Sequence, residues 1–447
     1  MAQPPNHSTL HRGVISHRAL LLVAIVAAVA SATTDIGSWN DAARLATVES
    51  LVDRHTWQMD GSIFFHRTLD RAFIAGHYYS HRSAVPSLAL AAIYQMVQWI
   101  TALKAAANPA VFCYTITLLS SGVCYVIAVA AVDRLATLAS VPAAARWPLT
   151  WSFAFGTVAL TYARAVNDHV FLLAVFAALF VVLASSARRG WVDVPARTLI
   201  AIGTLTGVGY SIDLGIAPVL VVCVMGYMAW VLCPRSRVGV VVFAAVPWIA
   251  LHHALTYMIG GTLKPLGAVS EYMIGWPGSP FTTENLTGLG WAHDSLAAFL
   301  AYAAGLLLGP KGFLVHNLVL FFVPAGVAIA WRAARGERAL IALSIALIVG
   351  TWTIYAISSN NYSGEAATIR WFVPLLVPCY YILMLAIRHE ASLRNEIAVV
   401  ALWSIVLGVL IWRRGPWLSS IGPRLWAVNV AALITWIAYR LTHRRAA

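Results

Sequence analysis

Apolar runs of about twenty residues recur along almost the whole chain, the length an α-helix needs to cross a bilayer. Of its 447 residues, 60% are hydrophobic and only 11% are charged, and the mean hydropathy is +0.76. A soluble domain carries about 25% charged residues. In hydrocarbon a backbone must satisfy its hydrogen bonds within one segment, so helices are expected and strands are not. The expected fold is an all-α polytopic membrane protein, a single integral membrane domain over residues 1–447.

The spans fall at 17–34, 109–131, 148–165, 170–186, 197–212, 215–233, 238–257, 316–331, 338–357, 371–387, 396–412 and 424–440, about twelve transmembrane helices. An even number leaves both termini on one side. Arg134, Arg146, Arg188, Arg189, Arg332, Arg335, Arg338 and Arg388 share that side, which the positive-inside tendency makes cytoplasmic. Two further apolar stretches, Pro86–Leu103 and Asp294–Leu308, break this alternation. Crossing at the first would move the basic loop 134–146 outside. Both are therefore expected as outer-side helices, juxtamembrane or re-entrant. The basic segment ending at Arg18 has no convincing cleavage site and reads as a cytoplasmic lead into an uncleaved first span. The location implied is the cell (inner or plasma) membrane.

A net charge of +13 is compatible with nucleic-acid binding, but the bases are scattered in twos and threes between apolar spans, so nucleic acid is rejected as a partner. Cys113, Cys124, Cys223, Cys233 and Cys379 lie within or at the ends of apolar runs with no metal-type spacing, and read as small packing residues.

Polarity is concentrated after the first span. The first outer loop, 36–87, holds Asp41, Glu49, Asp53, Asp60 and Asp70, with Asp35 at its lip, together with Arg44, Arg82 and the run His77-Tyr78-Tyr79-Ser80-His81. Asp168 and Asp213 each sit at the end of an apolar span. An ionisable group there is costly unless it faces a polar cavity, so the two are expected to line one. The second large outer loop, 259–294, is too rich in Gly and Pro for a helix. It reads as a cover over a site or as a passive connector, and the sequence leaves both open.

Several of these pieces resemble the GT-C glycosyltransferases. Asn40-Asp41-Ala42-Ala43-Arg44, Val52-Asp53, Thr68-Leu69-Asp70 and Gly76-His77-Tyr78-Tyr79-Ser80-His81-Arg82 are similar to the first outer loop of that family. The similarity points to the bacterial protein O-mannosyltransferase-like group and, more distantly, to the lipid A aminoarabinose transferases. Tyr162–His169, Gly203–Asp213, Leu307–Val323 and Ile369-Arg370-Trp371-Phe372-Val373-Pro374 resemble later family segments in the same order. One departure stands out. The bacterial group often reads Tyr-Ser-Asp-Lys where this chain has Tyr79-Ser80-His81-Arg82, which keeps the positive charge but not the carboxylate.

The resemblance implies transfer of a sugar from a polyprenyl-phosphate donor to an acceptor hydroxyl at the outer face, with inversion at the anomeric carbon. Such a reaction needs a base for the hydroxyl and positive charge for the leaving phosphate. Asp41, three residues before Arg44 and on the same helical face, is the first choice of base. It is equally suited, with Ser38 and Asn40, to cap the helix expected over 42–51. Asp70 is the second choice, or else a solvated partner of Arg67 and Arg71. Arg44, Arg82 and Arg370 are candidate phosphate ligands. His77, Tyr78, Tyr79, Asp168 and His169 are candidate substrate-binding residues. No cofactor is expected. His77 and His81, and Asp168 beside His169, invite a divalent metal, but no further ligand completes a set. The expected partners are the lipid bilayer, a polyprenyl-phosphate sugar and an unknown hydroxyl acceptor.

Other functional classes remain on the sequence alone. A transporter or flippase of a lipid-linked or anionic substrate would show paired hydrophobic halves with interrupted spans, and no such repeat is visible. A non-catalytic relative that binds a polyprenyl glycolipid fits the His81 and Arg82 departures.

Overall fold

The computed structural model describes residues 7–283, 286, 290–417 and 422–443, with the side chains of all of these except 7–16, 441 and 443. Helix α1 (His7–Ser31) leads into the polar segment, where α2 (Trp39–Asp53) lies. A hairpin of β1 (Arg71–Ile74) and β2 (His77–Ser80) follows, then α3 (Ala84–Thr101). Helices α4 (Pro109–Thr117) and α5 (Val123–Leu138) form one rod through a π-helical turn at Leu118–Gly122. Next come α6 (Ala143–Phe155), the short α7 (Ala159–Tyr162), α8 (Asp168–Arg189), α9 (Ala196–Ile212), α10 (Ala217–Val231) and α11 (Val238–Gly260). The second polar loop holds α12 (Ser270–Ile274) and leads to α13 (Leu296–Leu308). The chain continues through α14 (Val323–Ala333), α15 (Arg338–Ser358), α16 (Leu376–His389), α17 (Ser392–Arg414) and α18 (Pro423–His443).

Among the described residues, 7 helices are long and apolar enough to cross a membrane. His17–Ser31, Ala217–Val231, Leu296–Leu308 and Leu318–Ala333 are shorter apolar helices. Helices cover the expected spans, with one break: the stretch expected at 148–165 is interrupted after Phe155. There Asn317 accepts the Val158 N–H at 3.0 Å, a side chain replacing a helical carbonyl. Helix α3, expected outside the membrane, also has the length and apolarity to cross. It is bound to the polar α2 through Asp53, which accepts from Tyr94 Oη at 2.9 Å and Gln98 Nε2 at 2.6 Å.

Close helix packing is built on small residues. A β-carbon at Gly203 of α9 would stand 2.2 Å from the Val241 carbonyl oxygen of α11, and one at Gly207 would stand 2.6 Å from that of Ala245. The spacing of four puts both glycines on one face and lets the backbones touch.

The two ends of the bundle differ. At one end Asp133 pairs with His17 and with Arg146 at 2.6 Å, Arg388 pairs with Glu337 at 2.9 Å, and Arg440 pairs with Glu396 at 2.6 Å. Arg188 and Arg237 cap loop carbonyls there. At the other end lie α2, the hairpin, the N-terminus of α8, the C-termini of α9 and α15, and the start of the Arg370–His389 rod.

The hairpin is the exception to the expected absence of strands. Residues 77–80, expected as loop, pair with 71–74 in the register Arg71↔Ser80 to Ile74↔His77. Ala75 and Gly76 both have positive φ, +50° and +91°, as a two-residue turn matched to strand twist requires. The loop 259–294 packs against this hairpin. Ala72, Leu266 and Met273 form a small buried apolar cluster, and Tyr78 meets Trp276 edge to face at 5.5 Å. The Arg71 guanidinium lies over Phe65, Tyr78 and Trp276 at 4.1, 4.8 and 5.0 Å from their centroids.

Candidate active site

The site grows from four segments brought to one end of the bundle. Helix α2 begins with a capping box. Ser38 is the N-cap, its Oγ accepting from Asp41 N, while the Asp41 carboxylate takes Ser38 N at 2.7 Å, Ser38 Oγ at 2.5 Å and Gly37 N at 3.0 Å. Both Asp41 oxygens are thus used by its own turn, and its side chain is 1% exposed. Burial raises the Asp41 carboxyl above its ordinary value, and these hydrogen bonds pull it back only in part. Of the two roles open from the sequence, capping is the one visible in the geometry.

One turn later Arg44, 2% exposed, reaches across to α8. It donates to Asp168 Oδ2 at 2.6 Å, to Ser87 Oγ at 2.8 Å and to the Ser83 carbonyl at 3.0 Å. Arg44 therefore fixes α2, the start of α3 and the start of α8 to one another. Asn167 caps α8 by accepting His169 N at 2.9 Å, which sets Asp168 and His169 side by side at the helix start.

The hairpin supplies the second group. Asp70 is held by His81 Nε2 at 2.9 Å and by Arg82 Nη2 at 2.7 Å. Burial alone would raise this carboxyl; the Arg82 and His81 charges outweigh it and hold Asp70 well below the usual carboxylate range. The solvated pairing with Arg67 or Arg71 expected from sequence neighbours is not what forms. Arg67 turns to Asp35 at 3.2 Å, and Arg71 is stacked on aromatic rings. A β-carbon at Gly267 would stand 2.7 Å from His81 Nδ1, and Phe281 lies 6.3 Å from the His81 ring, so loop 259–294 backs this ion-pair group directly.

The third group is Asp213, directly after α9. Its Oδ1 accepts Gly215 N at 2.9 Å, and its Oδ2 lies 3.3 Å from His169 Nδ1. The fourth is Arg370, which makes no hydrogen bond or ion pair with any described residue; its Cζ lies 5.6 Å from the Trp417 ring. Arg370 is within electrostatic reach of Arg82, Asp70 and Asp213, and Arg82 is within reach of Asp168 and Asp213. Tyr355 stacks on Trp371 at 4.3 Å and completes the wall.

The structure thus gathers Arg44, Asp70, Arg82, Asp168, His169 and Arg370, brings in Asp213, which the sequence sets beside Asp168, and adds His81 and Tyr355. It places His77 and Tyr78 elsewhere. His77 is exposed and 3.7 Å from Asp60, while Tyr78 belongs to the hairpin–loop contact. Tyr79 lies half-buried opposite Ala72. His77 and His81, of helical spacing in the sequence, face different carboxylates. Among the described residues no group of three or more His, Cys, Asp or Glu side chains could hold a metal ion. Tyr355 carries no sequence signal, because only the tertiary fold brings the end of α15 here.

No family model matches the chain, and no curated protein matches it either. Solved structures do. ArnT from Cupriavidus metallidurans bound to undecaprenyl phosphate superposes with a TM-score of 0.51 at 13% identity, over 93% of this chain and 74% of that one. Its apo state gives the same TM-score and identity over 95% and 76%. The fold is GT-C-like. An all-α polytopic membrane architecture with that arrangement agrees with the fold class expected from composition and span lengths.

Proposed function

We propose that this protein is a membrane glycosyltransferase that moves a sugar from a polyprenyl-phosphate donor to an acceptor hydroxyl at the outer face of the cell membrane, both termini being cytoplasmic. The observation that carries the reading is the Arg370 guanidinium. It lies half-buried beside Arg82 with its donors unspent among the described residues, and Arg82 Nε is likewise buried without a partner. Guanidinium groups with unspent N–H donors suit a phosphate, which they can grip bidentately. Desolvated cations cost free energy unless an anion meets them. The solved structure of ArnT with undecaprenyl phosphate bound, in the same fold, supports a polyprenyl phosphate as that anion.

In this reading Arg82 and Arg370 hold the donor phosphate and stabilise the charge that builds on it as the glycosidic bond breaks. Arg44 keeps Asp168 and the two helices in place. Asp70 and His81 orient Arg82.

The test is release of free polyprenyl phosphate from polyprenyl-phosphate sugars in membranes containing the protein, since that product is common to every acceptor. Release should fall at least about 100-fold in Arg370→Ala, the loss typical of one removed transition-state donor. Wild-type protein that binds the donor, releases nothing and instead moves it across the bilayer would establish a transporter.

A further inference from the structure

A base for the acceptor hydroxyl needs an oxygen lone pair that is reachable and not already used. Asp41 has given both oxygens to its own helix turn. Asp70 is held between Arg82 at 2.7 Å and His81 Nε2 at 2.9 Å, and its side chain is only 10% exposed. Asp168 has given Oδ2 to Arg44, and its Oδ1 is sealed from solvent with no partner. Asp213 differs from all three. One oxygen is fixed by the Gly215 N–H, the other accepts no hydrogen bond from a described residue, and the side chain is 23% exposed.

We propose that Asp213 is the proton acceptor for the incoming hydroxyl, held in place with His169 packed against it. The assignment rests on the transfer reaction proposed above. The acceptor oxygen forms its bond to the anomeric carbon as the bond from that carbon to the phosphate oxygen breaks. The electron pair leaves with the phosphate towards Arg82 and Arg370. The hydroxyl proton passes to Asp213 Oδ2, beside which His169 Nδ1 lies at 3.3 Å.

The surroundings are arranged for this. A β-carbon at residue 215 would lie 2.1 Å from Tyr355 Oη and 3.3 Å from Asp213 Oδ1, so Gly215 leaves open the gap between the phenol and the carboxylate. Tyr355 Oη has no hydrogen-bond partner among the described residues, which leaves it free to orient an acceptor hydroxyl towards Asp213. The charged and titratable groups facing Asp213 are Asp168 and His169 from α8, Arg82 from the hairpin's exit, Arg370 from the start of its rod and Tyr355 from α15. Burial raises the Asp213 carboxyl; the Gly215 N–H lowers it, Asp168 raises it further, and the two arginines lower it only in part. The acid limb of the pH–rate profile should therefore lie above the ordinary aspartate value of about 3.9.

The experiment compares wild type, Asp213→Asn, His169→Gln and Asp41→Asn as full-length proteins in membranes. It reads both release of polyprenyl phosphate and binding of added polyprenyl phosphate. Asp213→Asn should cut release at least about 100-fold, as loss of a general base does, with phosphate binding unchanged. His169→Gln, which leaves Asp213 in place and so serves if Asp213→Asn fails to accumulate, should shift the acid limb. Release in Asp213→Asn close to wild type, or an acid limb that stays put in His169→Gln, overturns the assignment. So does loss of release in Asp41→Asn alone. A wild type that releases nothing overturns glycosyl transfer itself, a result distinct from any of these.

Discussion

Asp70 shows how one buried carboxylate can organise the cations around it. It is the shared anion of His81 and Arg82, and removing one partner of a buried charged group leaves the other uncompensated, at about 3–5 kcal/mol. Asp70→Asn should therefore lower the thermal unfolding temperature of the purified protein at pH 7. The sign with pH follows from its depressed carboxyl. Its stabilisation is fully present above the unfolded value of about 3.9 and drains away as the pH falls below that. The gap between wild type and variant should narrow as the pH falls below about 3.9; a gap that widens there would contradict the pairing. The sequence pointed to Asp70 but misplaced its partners. Arg67 and Arg71 are neighbours in the chain, whereas Arg82 becomes a neighbour only after the hairpin folds back. The same limit applies to Arg44 and Asp168, both chosen from sequence but whose contact spans 124 residues.

At the scale of elements, the helices were legible because bilayer-length apolar runs are a strong signal, and helix α2 because Ser38 and Asp41 form a capping pair. Ser38→Ala should cost about 1 kcal/mol, read as a lower unfolding temperature with donor binding retained. The hairpin was missed because four-residue strands carry little periodicity. Its turn, Ala75-Gly76, was the available cue. Helix contact also gives a sharp expectation. Gly203→Leu should drive α9 and α11 apart and sharply reduce the yield of folded protein, because the clash is with backbone rather than with a movable side chain. Full yield of this variant would show that the two helices do not meet as described.

For the whole molecule, the segregation of charge predicts an orientation that native chemistry can test. Cys233 is exposed and stands at the end of the bundle that carries Arg235, Arg237 and the Asp133–Arg146 pair. It should escape a membrane-impermeant thiol reagent in intact cells and react once the membrane is opened. Labelling of Cys233 in intact cells would invert the proposed orientation and place the site on the cytoplasmic side.

Arg370 has a consequence that reaches past catalysis. A guanidinium with no ion pair or hydrogen bond among the described residues is stabilised when an anion binds it, so occupancy and foldedness are thermodynamically linked. The melting temperature should climb with the logarithm of added polyprenyl phosphate once its concentration exceeds Kd, and that climb should vanish in Arg370→Ala. The lipid carrier would then act as a folding ligand, and the amount of intact protein in a membrane would follow the size of its polyprenyl-phosphate pool.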